Sequence, residues 1–177
     1  MKYFTTQFTL FTTLFTLLLL SACGTTHHET AVQTTSYTAP HDDEARMSNL
    51  AIYAMSLYDT PYQYGGKSRV NGFDCSGFVQ FVFQNSLGLQ LPRTSAEMSR
   101  VGMPLDAGQL RPGDLVFFNT TRSPNSHVGI FIGENRFVHS PKTGKAIMLT
   151  SLNDKYWSAR YNGARRITAN QRLAINQ

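Results

Sequence analysis

Three side chains have the types and settings for acyl transfer: Cys75, His127 and His139. Cys75 stands in Gly72-Phe73-Asp74-Cys75-Ser76-Gly77, where a helix is expected to begin. Free backbone N–H groups and the positive end of the helix dipole favour thiolate over thiol at such a position. The same N–H groups can donate to an oxyanion. Asp74 opposes ionisation unless its charge is engaged elsewhere, a balance that a cationic histidine would tip. The bland alternative is a buried cysteine acting as a small hydrophobe.

A base has few candidates. His27, His28 and His41 lie in a polar stretch that reads as solvated linker, which leaves His127 and His139 for the folded part. Their spacing supports a geometric argument. If a hairpin turns through the three residues Gly133-Glu134-Asn135, with Asn135 in the left-handed conformation, Ile132 pairs with Arg136 and Gly129 with His139. The two histidines then share one face as diagonal neighbours, about 7–8 Å apart by Cα. Val128, Ile130, Ile132 and Val138 fall on the opposite, core face. A two-residue turn would place the histidines on opposite faces. A nucleophile at a helix N-terminus, a base on a strand and a second imidazole to orient that base form a catalytic triad in its cysteine version.

The elements that must hold these groups are legible. Met47, Leu50, Ala51, Ala54, Met55 and Tyr58 recur at helical period, so residues 44–58 read as an amphipathic helix ended by Thr60-Pro61. Tyr62 to Gly66 reads as extended. A second helix is expected from Asp74-Cys75 to Leu87, stopped by Gly88 and buried nearly all round. Thr94-x-x-Glu97 is a capping-box pattern opening a short third helix. After Pro112-Gly113, five short segments read as strands: Leu115–Asn119, His127–Ile132, Arg136–Ser140, Ala146–Thr150 and Arg160–Ile167. Helices first and strands later imply an α+β domain with N-terminal helices packed on a mainly antiparallel sheet.

Upstream, Lys2 and the run from Phe8 to Leu20, interrupted only by threonines, describe a secretory signal over residues 1–22. Leu20-Ser21-Ala22-Cys23 is similar to the lipobox of bacterial lipoproteins, which implies acylation of Cys23. Residues 23–43 then read as a flexible tether, poor in large apolar side chains, and residues 44–177 as the catalytic domain. A coil of ~20 residues averages roughly 25 Å end to end, enough to sample the layer beside a membrane. An unpaired Cys75 in an oxidising compartment needs some use beyond a disulfide.

Composition sets bounds. The chain has 177 residues, 41% of them hydrophobic, which suits one ordinary domain. Two cysteines exclude a disulfide-rich scaffold. No segment reaches the ~20 apolar residues of a stable membrane span. The net charge of +5 is modest, weak evidence for nucleic acid and compatible with an anionic surface.

Several blocks in order carry a family resemblance: Pro61-Tyr62-Gln63-Tyr64-Gly65-Gly66, Phe73-Asp74-Cys75-Ser76-Gly77-Phe78-Val79, Leu91-Pro92-Arg93-Thr94-Ser95, Pro112 to Phe118, His127 to Gly133 and Phe137-Val138-His139-Ser140. Together they resemble the NlpC family of papain-like cell-wall endopeptidases. The ending, Tyr156-Trp157 with Arg160 to Arg166, is similar to the Spr-type murein endopeptidases, which are also lipoproteins. The resemblance implies a papain-like fold, Cys75 as nucleophile, His127 as general base and His139 as its orienting partner. It implies that the Tyr62 hydroxyl and the Cys75 N–H stabilise the oxyanion, and that Asp74 and Ser76 contact the substrate peptide. Arg93 and Asp114 match motif positions but read as structural, an ion pair or a turn cap. Gly65 and Gly66 read as places of close backbone approach, and the length of the segment from Lys67 to Phe73 departs from the family.

The implied activity is hydrolysis of peptidoglycan stem peptides or cross-links through a thioester, without cofactor or metal. The implied setting is the outer membrane facing the periplasm if the cell is Gram-negative. A monomer is expected, with an adaptor or inhibitor to restrain it. Two other readings stay open: a non-catalytic lipoprotein that binds wall peptides or a partner protein, and a zinc site formed by Cys75, His127 and His139.

Overall fold

A computed structural model describes residues 40–168. The expected signal segment, Cys23, His27 and His28 lie outside the described residues, as do residues 169–177. No helix among the described residues is long and apolar enough to cross a membrane.

The first helix, α1, spans Pro40–Met55. It therefore starts inside the stretch read as tether and stops short of Tyr58. Pro40 suits a first turn because its missing N–H has no partner to lose there, and Asp42 and Asp43 favour the positive end of the dipole. At the other end Ser56 to Asp59 form turns instead, closing on Asp59 at φ 64°. A small antiparallel pair follows, β1 (Lys67–Ser68) and β2 (Gly72–Phe73), within the segment from Lys67 to Phe73. The second helix, α2, spans Cys75–Leu87, with Asp74 as its N-cap and Gly88 closing it at φ 67°, as the sequence predicts. The capping box of Thr94 and Glu97 forms and opens α3, Ser95–Met98.

The strands are β3 (Met103–Leu105), β4 (Leu115–Phe118), β5 (His127–Gly133), β6 (Arg136–His139), β7 (Met148–Ser151) and β8 (Tyr161–Arg166). They make one sheet in the order β3-β8-β4-β5-β6-β7, antiparallel throughout. Five of the six were expected; β3 was not, since Met103-Pro104-Leu105 is an exposed edge with too little alternation to read. A short helix α4, Lys155–Ser158, also went unread; four residues carry no periodicity.

The sheet buries both faces. On one, α1 and α2 press Leu50, Phe78, Val82 and Phe83 against Leu115, Phe117, Val128, Ile130 and Val138. On the other, Val116, Phe118, Phe131 and Phe137 meet Ala164, with Trp157 and Tyr161 as partial cover. Fold and layers are those of the expected α+β domain. Asp114, almost wholly buried, caps the turn before β4 by accepting from the Arg111 N–H at 2.7 Å and pairs with Arg166 at 2.7 Å. The structural reading of Asp114 therefore holds.

The hairpin between the histidines corrects the expectation in detail. Gly133, not Ile132, pairs with Arg136, and the turn is two residues long, Glu134 and Asn135, both at positive φ. Mirror-image hairpin turns of this kind match the twist of the flanking strands. A one-residue bulge at Ile132 compensates, so Phe131 still pairs with Phe137 and Ile130 with Val138. The parity is unchanged: a two-residue turn plus one bulged residue leaves the histidines on the same face.

Candidate active site

Cys75 is the first residue of α2 and only partly buried. Its position is set from below by backbone packing. Gly77, in the first turn, lies so close to the loop before β1 that an added Cβ would stand 2.0 Å from the Gly66 carbonyl oxygen. Gly66 shows the expected close approach itself, with Gly72 O only 2.5 Å from an added Cβ, whereas Gly65 is open and serves through its φ of 72°.

Asp74 is occupied in the way its neighbour needs. Its Oδ1 accepts from the Gly77 N–H at 2.6 Å, and its carboxylate takes both terminal nitrogens of Arg93, at 2.6 and 3.2 Å. Arg93 also donates to Ser76 Oγ at 2.8 Å. Arg93 is thus an ion-pair residue as read, but the pair stands in the cleft beside the thiol rather than at a remote surface.

His127 opens β5, His139 ends β6, and both are buried. His127 Nε2 and His139 Nδ1 are 2.8 Å apart, and His139 Nε2 is 3.0 Å from Thr150 Oγ1 on β7. The diagonal contact argued from sequence is present. It is possible because the residue directly across from His139 is Gly129, where an added Cβ would stand 2.6 Å from the Phe137 ring and 3.3 Å from His139 Cβ.

With Nε2 engaged by His139, Nδ1 is the nitrogen His127 keeps for the cleft. Cys75, His127, Tyr62, Asp74, Ser76 and Arg93 line that cleft together, a cavity of about 870 Å³. Every residue assigned to the site from sequence, apart from Cys23 and the deeper His139, borders it. Trp157, Tyr156, Tyr64 and Lys142 complete the walls, with Thr120, Thr121 and Ser126 from the loop before β5.

The electrostatics weigh on the balance left open at Cys75. Burial pushes the Cys75 thiol up from its ordinary value, and Asp74 adds to the effect; the N–H groups of Val128, Ser76 and Cys75 itself pull the other way without prevailing. Burial likewise holds His127 down to about 4 and His139 well below the usual imidazole range. Desolvation thus opposes the helix terminus and favours neutral thiol with neutral imidazole, since it disfavours both charges.

That neutrality fixes a proton order. For Nδ1 of His127 to accept a proton, its Nε2 must carry one and donate to His139 Nδ1; His139 Nε2–H then donates to Thr150 Oγ1. Such an arrangement can take a proton from a thiol as it attacks a carbonyl and return it to a leaving group. Among the described residues no group of three His, Cys, Asp or Glu side chains is placed to hold a metal ion. The alternative zinc set fails on geometry, since the two imidazoles turn ring nitrogens toward each other. Sequence reasoning missed Thr150 and the packing of Trp157 on the two histidines, and it paired Gly129 with His139 without assigning the glycine a role. Thr150 follows from strand register, and Trp157 is the chain's sole tryptophan, a signal that was available.

The sequence pattern of the NlpC/P60 family matches residues 59–166. Murein DD-endopeptidase MepS/Murein LD-carboxypeptidase of Escherichia coli K12 is 39% identical over 166 residues, covering 85% of this chain and 87% of the relative. Murein DD-endopeptidase MepH of the same organism is 42% identical over 116 residues, covering 64% of this chain and 43% of the relative, so the match spans less than half of that protein. Among solved structures, a crystal structure of an NlpC/P60 family protein from Bacillus cereus superposes with a TM-score of 0.62 at 34% identity, over 67% of this chain and 39% of the other.

Proposed function

Because the chain belongs to the NlpC/P60 family, we propose that it is a cysteine endopeptidase that hydrolyses peptide bonds of peptidoglycan in cell-wall remodelling. The observation that carries the reading is the meeting of a helix-terminal thiol and a hydrogen-bonded histidine pair at one cleft. Cys75 Sγ attacks the scissile carbonyl carbon while His127 Nδ1 takes the thiol proton. The tetrahedral oxyanion is held by the Cys75 N–H and the Tyr62 hydroxyl. As the intermediate collapses, the C–N bond breaks, His127 passes its proton to the departing amine and a thioester remains. Water, deprotonated by His127, then releases the acid and restores the thiol. His139 orients His127 throughout, and Asp74 and Ser76 contact the peptide from the cleft floor.

The bond favoured is the cross-link. Support comes from the DD-endopeptidase activity for which both Escherichia coli relatives are named and from the Spr-like ending at Tyr156-Trp157. The setting is the cell envelope. Within it, the pattern at Leu20 to Cys23 supports residues 1–22 as an export signal and Cys23 as a lipid anchor, with outer-membrane placement in a Gram-negative cell and an adaptor or inhibitor as restraint. A non-catalytic wall-binding lipoprotein is disfavoured by the intact thiol–histidine constellation.

The test is digestion of purified peptidoglycan and soluble muropeptides by the full chain, with mass spectrometry of the products and Cys75→Ala in parallel. New peptide termini absent from the Cys75→Ala digest are expected, and their masses identify the bond. Products made equally by Cys75→Ala would remove the nucleophile assignment. Cys23→Ala is expected to release the protein from the membrane fraction; retention there would count against acylation.

A further inference from the structure

Trp157 packs on both site histidines. Its ring centroid is 5.2 Å from His127 and 4.7 Å from His139, edge-on to the latter at 85°. Phe118 and Phe137 pack edge-on to the same indole at 4.9 and 5.3 Å. Phe137 also lies 4.7 Å from His139, and Phe118 6.2 Å from His127. The two imidazoles therefore sit in an aromatic cage of which Phe118 and Phe137 are wholly buried and Trp157 alone lines the cleft. The indole is held in place by α4: Asp154 Oδ1 accepts from the Tyr156 and Trp157 N–H groups at 2.8 and 3.3 Å, and the Arg160 N–H donates to the Trp157 carbonyl at 3.0 Å.

We propose that Trp157 is a positioning residue for the histidine relay: its indole closes the cleft side of the His127–His139 pair, keeps water off their shared hydrogen bond and holds both rings uncharged in one tautomeric order. The inference rests on the peptidase reading for its purpose but not for its readout. A hydrogen bond between two imidazoles at 2.8 Å is vulnerable, because water at either ring nitrogen offers another partner and lets the tautomers scramble. An apolar ring at van der Waals contact removes that competitor and penalises charge on both rings. Charged and titratable groups near the pair are few. Cys75 faces it from α2, Tyr62, Lys142 and Tyr156 line the cleft, and Asp74 and Arg93 neutralise each other at 2.6 Å.

Because Trp157 is the chain's only tryptophan, its fluorescence reports on the site without interference. Imidazole resonances followed by NMR against pH, in the full chain, give the histidine titrations directly. In Trp157→Ala the relay histidines are expected to charge about one pH unit higher than in the parent. The acid limb of kcat/KM should move with them, kcat falling about tenfold while KM changes by less than about twofold. Trp157→Phe, which keeps an apolar ring, should restore most of both. In the parent, emission should fall as the histidines charge, since an adjacent imidazolium quenches indole, and the fall should vanish in a His127→Gln/His139→Gln variant.

Histidine titrations unchanged in both folded Trp157 variants would overturn the proposal. If neither variant folds, emission that stays flat while the parent's histidines charge does the same, and emission that falls with them sustains it. Failure of the peptidase reading looks different: activity would survive Cys75→Ala while the Trp157-dependent titration stood.

Discussion

Cys75, His127, His139 and Thr150 form a chain in which each member limits the state of the next. Neutral His127 can act as base only with Nε2 protonated, and that proton needs an acceptor, which His139 Nδ1 provides because Thr150 engages its far nitrogen. Thr150→Val, close in shape but without the hydroxyl, is expected to lower kcat several-fold with little change in KM, since one neutral hydrogen bond is worth about 0.5–1.5 kcal/mol. His139→Ala should cost more, again in kcat. A Thr150→Val enzyme with parental kcat would take the hydroxyl out of the relay. The pH profile follows from the same groups. The working base is unprotonated imidazole, which burial sustains down to about 4, and the working acid is a thiol pushed above its ordinary 9.0. Activity should therefore hold through pH 5.5, where an ordinary histidine of pKa near 6.5 would be mostly charged. A steep loss centred near 6.5 in kcat/KM would show that His127 is not held neutral.

At the scale of elements, three glycines distinguish clash from strain. Gly129 lies on β5 across from His139, and its missing side chain is what lets the diagonal imidazoles meet. Gly129→Ala should leave a folded protein with sharply reduced kcat, because a Cβ there meets the Phe137 ring and the base of His139. Gly77 in α2 is more severe, as the obstruction is the Gly66 backbone; Gly77→Ala is expected to cost at least about 2 kcal/mol and to displace Cys75 with the helix start. Gly88 ends the same helix with open space around it, so Gly88→Ala should cost only about 1 kcal/mol, from the left-handed φ alone, and leave activity intact. Denaturant unfolding of Gly77→Ala and Gly88→Ala separates the two causes; equal losses would refute the distinction.

For the whole molecule, the buried histidines tie stability to pH. Native His127 resists its proton until about 4, while the unfolded chain takes it near 6.5. Between those values the unfolded state binds more protons, so stability rises with pH across the window and is lost as pH falls through it. His127 alone contributes up to roughly 3 kcal/mol of this dependence, and His139 is shifted in the same direction. Tm should fall between pH 7 and 4.5, less steeply in His127→Gln/His139→Gln; identical slopes would contradict the account. A second tie is the Asp114–Arg166 pair, which links the turn before β4 to the end of β8. Arg166→Ala strands a nearly buried carboxylate and should cost about 3 kcal/mol in denaturant unfolding.

Some of this was determined by the sequence alone, through interactions that are local along the chain. Asp74 before Cys75, Gly88 after Leu87 and Thr94 three residues before Glu97 set helix ends through contacts within one turn, and these were legible to the residue. The alternation of His127 to Ile132 against Phe137 and Val138 determined which face the histidines share, because a buried face tolerates only one parity. The route to that parity was not legible: a two-residue turn with a bulge at Ile132 and a three-residue turn impose the same pattern on the faces. Tertiary structure alone decided the rest. Thr150 acquires its role only when β7 pairs with β6. Arg93 finds Asp74 across 19 positions, a pairing that no periodicity encodes. The balance of effects on the thiol was not legible for the same reason. A helix dipole can be read from a motif, but the opposing desolvation is a property of everything packed around the site, and at Cys75 it is the larger effect.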